Sequence, residues 1–112
     1  MKITDIREAT ASIGSSISNA YVDFSQMTIS VVAVESDIMR NGRPVTGYGF
    51  SSNGRYAQGG ILRERLIPRI RAAAPQALLN DAGDNFDPRK IRTVMLTNEK
   101  PGGHGDRAFA AA

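Results

Sequence analysis

The chain has 112 residues, no cysteine and a formal net charge of +3 at neutral pH. This length suits a single domain with one modest hydrophobic core, and the lack of cysteine excludes disulfides and thiolate metal sites. The N-terminus has no apolar signal sequence, and nowhere do about 18 consecutive apolar residues occur that could cross a membrane. We therefore expect a soluble, cytoplasmic protein without a membrane partner.

Three strands are predicted in the first half of the chain. Residues 2–8 alternate between apolar and polar, residues 27–39 are rich in β-branched side chains, and residues 44–50 form a returning strand. Asn41-Gly42 separates the last two, and this pair predicts a type I′ turn because both central positions need a positive φ. The result is an antiparallel three-stranded sheet, in which residues 11–24 form a long loop after the first strand.

Helical spacing replaces the strand pattern after Gly60. Pro68 should kink the first helix or start a second segment, and Pro75 should end it. A short helical piece is expected over residues 76–80. The apolar stripe of the first helix consists of Leu62, Leu66, Ile67 and Ile70.

A further helix is predicted to begin after Asp87, whose carboxylate would cap it, and to stop near Glu99. Asp106 would cap a last helix that meets no stop signal before the sequence ends. The predicted fold is therefore α+β, a three-stranded antiparallel sheet followed by a small helical bundle, and residues 1–112 are expected to be one domain of a longer protein. The buried face of the helix after Asp87 would consist of Ile91, Val94 and Met95.

Two loops carry side chains of the kind that hold a small ligand. The Gly-rich segment 47–60 offers an amide, a guanidinium and a phenol, and Lys100 adds a cation beside a second glycine run. The alternative is that each asparagine stabilises its own turn, or that the loops are mobile surface. The candidate ligand-binding residues are Asn19, Tyr21, Asn53, Arg55, Tyr56 and Lys100.

Other chemistry finds little support in the sequence. The acids at 81, 84 and 87 miss the ligand spacing of a calcium loop, and Gly47-Tyr-Gly49 lacks the third glycine of a dinucleotide fingerprint. His104 has no evident catalytic partner in sequence. The one basic cluster, which favours a solvated or interdomain surface over nucleic-acid binding, is Arg63, Arg65, Arg69 and Arg71.

Several segments carry a resemblance to a known family. They are Ser18-Asn-Ala-Tyr-Val-Asp-Phe24, Gly47-Tyr-Gly-Phe-Ser-Ser-Asn-Gly-Arg-Tyr56, Arg63-Glu-Arg65 and Asn98-Glu-Lys-Pro-Gly-Gly-His-Gly-Asp-Arg107. Together with the order of strands and helices, they resemble the N-terminal capping domain of the mandelate racemase and muconate lactonizing enzyme group of the enolase superfamily. The resemblance spans the whole chain, and within that group it is greatest to the D-tartrate dehydratases.

The resemblance implies an enzyme in which this cap closes over a β/α barrel that the sequence does not contain. The barrel would supply the Mg²⁺ ligands and the lysine and histidine for proton transfer, so this chain itself would hold no cofactor and no catalytic residue. Asn19, Asn53 and Lys100 match cap positions that contact the substrate, and Lys100 suits a carboxylate. The further matches are Tyr21, Arg55 and Tyr56.

The implied reaction converts D-tartrate, a small hydroxy-carboxylate, into oxaloacetate and water by abstraction of the proton α to a carboxylate. Because a barrel needs roughly 200 or more further residues, the 112-residue chain alone is not expected to be active. The complete enzyme, a lyase of the hydro-lyase type, is expected to be a homo-oligomer.

Three alternatives come from the same residues. The chain could be a free-standing, noncatalytic binding or interaction module, which would unfold cooperatively and stay monodisperse, whereas a separated cap would expose apolar surface and associate. It could be the cap of another racemase-like isomerase or dehydratase. A basic nucleic-acid binder, which we disfavour, would show a steep salt dependence on a polyanion column.

Overall fold

The computed structural model describes residues 1–21, 25, 27–51 and 57–105. The fold is α+β and contains a three-stranded antiparallel sheet in the order β1-β2-β3. The strands are β1 (Ile3–Ser12), β2 (Thr28–Arg40) and β3 (Arg43–Ser51). A helix of 15 residues and a shorter helix follow, so the predicted class and sheet are confirmed.

The hairpin between β2 and β3 forms at the predicted turn. Asn41 and Gly42 have φ of 51° and 74°, and Arg40 pairs with Arg43 across them. Positive φ at both central residues is the geometry that matches the right-handed twist of the flanking strands. The Asn-Gly prediction is confirmed.

The first strand is longer than its apolar alternation indicated. It continues to Ser12, and Ala9 and Ala11 pair with Val31 and Ile29 of β2. Small side chains lie on one face there and Thr and Ser on the other, so no hydrophobic period marks the strand. Backbone pairing with β2 extends it, and the predicted loop start at residue 11 is wrong by two residues.

One continuous helix, residues 58–72, lies against the sheet. It consists of Gln58–Ile61, the π-helical Leu62–Leu66 and Ile67–Ala72, and we call it the long helix. The N–H of Ile67 donates to the carbonyl of Leu62, five residues back, so Pro68 follows a wider turn and lies in the first turn of the last segment. The expectation that Pro68 starts a second segment is met, because the π turn offsets the hydrogen-bond ladder.

The core lies between the long helix and one face of the sheet, which we call the inner face. Val32, Leu62 and Leu66 have no exposed surface, and Ser30 and Val32 alternate with outward-facing residues of β2. Burial of these apolar side chains supplies the main stabilising free energy of the domain. The remaining core residues are Ile6, Ile61, Ile67, Ile70, Leu78 and Met95.

The chain after the long helix forms a 3₁₀ turn, Pro75–Leu78, and the short helix, Pro88–Met95. Asp87 caps the short helix as predicted: its Oδ1 accepts from the N–H groups of Arg89 at 2.8 Å and Lys90 at 3.4 Å. The helix ends at Met95, before the predicted Glu99, because the chain enters turns and Asn98 takes a left-handed φ of 61°.

The described residues contain these two helices rather than a bundle. The last predicted helix, after Asp106, lies outside the described residues. Within the described ranges, no helix is long and apolar enough to span a membrane. The predicted buried face of the short helix is confirmed, since Met95 is buried and Ile91 and Val94 pack against the core.

Replacing Asp87, the N-cap residue of the short helix, should lower the free energy of unfolding. We expect Asp87→Ala to lower the free energy of unfolding by about 1 kcal/mol, because two N-terminal amides of the short helix lose their acceptor. Asp87→Asn is the matched control, since an asparagine oxygen can still accept and the loss should be a few tenths of a kcal/mol. Urea unfolding followed by circular dichroism measures both; equal losses for the two variants would contradict the capping role.

Candidate functional site

Two of the predicted ligand-binding segments leave the sheet at the same end. Ser12, where β1 stops, pairs with Thr28, and Ser51, where β3 stops, pairs with Ser30. We call this end of the sheet the loop end. The segment with Asn19 and the segment before Gln58 both start there, whereas Asn53, Arg55 and Tyr56 themselves lie outside the described residues.

Asn19 and Tyr21 form a local turn. The Oδ1 of Asn19 accepts from the backbone N–H of Tyr21 at 2.9 Å, and the side chain of Tyr21 is 96% exposed. This is the Asx-turn geometry in which an asparagine organises its own loop. The amide oxygen of Asn19 therefore has a structural role, and the Tyr21 ring is presented to solvent.

A polar network anchors the long helix to β1 close to the loop end. The carboxylate of Glu8, 3% exposed, accepts from Arg63 Nη1 at 2.6 Å and from the hydroxyl of Thr10. The Thr10 hydroxyl in turn lies 3.0 Å from that of Ser30. Because the carboxylate is satisfied by a cation and a hydroxyl, its burial is tolerated, and it fixes where the helix starts.

Gly59 lies so close to the hydroxyl groups of this network that a side chain at this position would collide with them. A Cβ there would lie against the Thr10 hydroxyl and 2.9 Å from that of Ser30, closer than side-chain carbons pack. Gln58 beside it is 3% exposed, and no residue of the described chain bonds its Oε1. The sequence interpretation did not identify Glu8 or Gln58; a carboxylate at an inward position of β1 was the one available signal for Glu8.

Lys100 is held elsewhere, alongside the middle of the long helix. The preceding residue, Glu99, is 7% exposed, and its Oε1 lies 3.0 Å from Arg69 Nη1 and 3.4 Å from Arg65 Nε. Arg69 Nη1 also donates to the carbonyl of Met95 at 2.6 Å, which ties the end of the short helix to the same group. The Lys100 side chain is exposed beyond this anchor.

The loop after Lys100 closes tightly over Glu99. Gly103 donates to the Lys100 carbonyl at 2.9 Å, and a Cβ on Gly105 would lie 2.7 Å from Glu99 Oε2. Glycine is therefore needed at 105 for the close approach. Asn19 and Tyr21 lie on the loop that follows β1, whereas Lys100 lies next to Glu99 beside the long helix.

The arginine cluster of the long helix is engaged with carboxylates of the chain itself. The pairs run along both sides of the helix, and those on the β1 side link its start to Glu8 and its end to Asp5. These ion pairs hold the long helix against the neighbouring elements, and they favour this structural role over the binding of a polyanion. The engaged residues are Arg63, Arg65, Arg69 and Arg71.

A groove among the described residues lies at the other end of the sheet. Its volume is about 340 Å³, and it separates the start of β1 from the end of the long helix. Of the predicted ligand-binding residues that the structure describes, Asn19, Tyr21 and Lys100, none lines it. Its walls include Lys2, Asp5, Ile70, Arg71, Leu78 and Phe86.

The acidic loop 80–87 uses its carboxylates internally. Asp81 accepts from Lys90 Nζ at 2.8 Å, and Asp84 accepts from Asn80 Nδ2 at 2.8 Å. The hydrogen bond and charge of Lys90 hold the pKa of Asp81 below its ordinary value of 3.8. Within the described ranges, no group of three or more His, Cys, Asp or Glu residues could hold a metal ion.

No protein-family model matches this chain. Membership of the capping-domain family therefore stays a prediction from the resemblance of the quoted segments.

The Asp81–Lys90 pair should be visible in a pH titration. Because the folded pKa of Asp81 lies below 3.8, the pair stabilises the fold above that pH, and this contribution is lost as the pH falls through the folded pKa. In Lys90→Met, we expect the pKa of Asp81 to return toward its ordinary value. Carboxyl NMR titration measures it.

Asp37 provides the internal control for this titration. Its pKa is lowered chiefly by the backbone N–H of Lys2, which donates to it at 2.9 Å and is untouched by the variant. A pKa of Asp81 that stays low in Lys90→Met, or an equal shift at Asp37, would contradict the assignment.

The Glu99 anchor should contribute more to the free energy of unfolding than an exposed acid of the long helix. We expect Glu99→Gln to cost about 2 kcal/mol of unfolding free energy, less than the roughly 3–5 kcal/mol typical of a fully buried pair, because both arginines are partly exposed. Glu64→Gln, at an exposed position of the long helix, is the control and should change stability by less than about 0.5 kcal/mol. Thermal and urea unfolding compare the two; a Glu99→Gln loss no larger than that of the control would refute the anchor.

Proposed function

We propose that this chain is the substrate-specificity cap of a Mg²⁺-dependent acid-sugar dehydratase that converts D-tartrate into oxaloacetate and water. In this proposal the chain binds and orients the substrate, and a barrel domain carries the metal ligands and the acid–base residues. The cap identity and the helical bundle of such caps belong to the proposal. The quoted sequence segments are its starting point.

One structural observation carries the proposal most directly. β1 and β3 both stop at the loop end, with Ser12 and Ser51 on either side of β2, so two candidate loops leave side by side. A lid needs such an arrangement, because two neighbouring loops can approach one substrate from above while the sheet and long helix hold their bases rigid.

The proposed chemical roles follow from the donor and acceptor groups of the side chains. The ammonium of Lys100 would donate charge-assisted hydrogen bonds to the distal carboxylate of a dicarboxylic acid. The side-chain amides of Asn19 and Asn53 would hydrogen-bond hydroxyl or carboxylate oxygens of the substrate, and Asn19 Oδ1 also accepts from the N–H of Tyr21 in its own turn. Orienting both ends of the substrate aligns the α-carbon proton with a base on the barrel.

When bound, Mg²⁺ would stabilise the enediolate formed by loss of that proton. The described residues include no cluster suited to it, so the proposal assigns its ligands to the barrel. The part played by this chain is to fix substrate orientation and exclude water. The anchor at Glu8 would hold the loop end of the sheet in place, and the anchor at Glu99 would hold the loop of Lys100.

A chimaera tests the proposal. We expect this chain, joined to the barrel of a D-tartrate dehydratase in place of its own cap, to support oxaloacetate formation, and the 112-residue chain alone to form none. In the chimaera, Lys100→Ala should lower kcat/KM about 10- to 100-fold, because a hydrogen bond to a charged group contributes about 1.5–3 kcal/mol.

Lys90→Ala is the matched control, since this cation is occupied by Asp81 and should leave the kinetics unchanged. Continuous assay of oxaloacetate measures all variants. Turnover by the isolated chain, or an active chimaera indifferent to Lys100→Ala, would contradict the assigned roles.

A further inference from the structure

The face of the sheet opposite the long helix carries an exposed apolar surface. Residues that alternate with the buried Ser30 and Val32 point away from the helix, and Val31, Tyr48 and Phe50 are 38%, 77% and 64% exposed. Contiguous exposed apolar patches on a folded domain commonly mark an interaction surface. We call the following set the outer strip: Ala9, Ala11, Val31, Ala33, Tyr48 and Phe50.

The outer strip is asymmetric across the sheet in a regular way. Ala9, Val31 and Phe50 form one cross-strand row, and Arg7, Ala33 and Tyr48 form the next. In each row the large aromatic ring lies on β3 and a small or aliphatic-stemmed side chain lies on β1. The surface therefore has a ridge of two aromatic rings along the β3 edge and, at Ala9 and Ala11, a shallow trough along the β1 edge that ends at the long side chain of Arg7.

We propose that two copies of this chain pack outer strip to outer strip, about a two-fold axis that runs along β2. Such an axis exchanges the two edges of the sheet, so the β3 ridge of one copy lies in the β1 trough of the other. Phe50 of each copy then fills the space above Ala9 of the second copy. A ridge and a trough on one surface, placed symmetrically about its middle strand, are the self-complementarity that an isologous dimer requires.

The charged side chains of the outer face set one limit and one contact in this arrangement. Glu35 of β2 would lie opposite Glu35 of the second copy, and this like charge is offset by Arg7 of its own chain at 3.5 Å. The axis places the guanidinium of Arg7 over the ring of Tyr48 in the second copy, a favourable cation–π contact. Arg7 is already oriented along the outer face, with Nη2 3.5 Å from Glu35 Oε2 and Nε 3.5 Å from Asp5 Oδ2. The charged side chains of Arg7, Asp5 and Glu35 lie at the end of the outer face that is away from the loop end, where they form the polar rim of an apolar contact.

Reciprocal substitution tests this packing. We expect the unaltered chain to be a dimer, and Phe50→Ala and Ala9→Phe each to raise its dissociation constant by about 30-fold, the first by removing an interface anchor and the second by filling the trough. The double variant Ala9→Phe/Phe50→Ala moves the ridge to the other edge and should restore the dissociation constant to within a few-fold. Sedimentation equilibrium measures each constant.

Two controls make the result specific. Met39→Ala removes an apolar side chain that is 59% exposed outside the outer strip and should leave the dimer unchanged. Ala9→Phe combined with Tyr48→Ala pairs residues of different rows and should not restore association. Since Ala9 and Phe50 lie on strands separated by β2, restoration cannot come from a contact within one chain.

A second measurement needs no substitution. On dilution of the unaltered chain through its dissociation constant, amide chemical shifts should change along β1 and β3 at the outer strip and stay constant in the long helix. The proposal is overturned by a chain that is monomeric at all accessible concentrations, by association that Phe50→Ala and Met39→Ala weaken equally, or by failure of the reciprocal pair to recover. The inference does not depend on the proposed function, so an inactive chimaera leaves it standing.

Discussion

Packing of the long helix on the inner face of the sheet is the interaction on which the rest of the structure depends. Leu62, Leu66 and Val32 are fully buried in it, and they come from the helix and the middle strand. A three-stranded sheet has two edges and needs a cover on at least one face to be stable in water. The helix supplies that cover, and its direction along β1 decides where every later element lies.

Two buried carboxylates set the position of this helix along the sheet. Glu8 holds Arg63 near its start, and Glu99 holds Arg65 and Arg69 near its middle. Each carboxylate lies at the base of a proposed ligand loop, so one set of ion pairs serves both stability and site geometry. Hydrophobic contact alone is non-directional, whereas a carboxylate shared by two guanidinium groups allows little sliding of the helix.

The two faces of the sheet and its loop end each have a different proposed role. The inner face forms the core, the loop end carries the proposed lid, and the outer strip offers a self-complementary surface to a second copy. These roles do not compete for residues, because strand alternation sends neighbouring side chains to opposite faces. A dimer through the outer strip would leave the loop end of each copy free to approach a substrate-bearing domain.

The sequence by itself determined the features that depend on local chemistry. Asn41-Gly42 specified the hairpin, Asp87-Pro88 specified the start of the short helix, and the spacing of Leu62, Leu66 and Ile70 specified the buried face of the long helix. In each case the signal is contained within a few consecutive residues or a single helical repeat, so no distant partner is needed to recognise it.

Only the tertiary structure decided the features that join distant parts of the chain. The extension of β1 to Ser12 comes from pairing with β2, and the burial of Glu8 and Glu99 comes from arginines at least 30 residues away. The side-by-side exit of the two loops, and the alignment of Ala9 with Phe50 across the sheet, depend on strand register. Register sums many weak backbone and side-chain contacts over the whole sheet, and that is the physical reason why it could not be predicted from any one stretch of sequence.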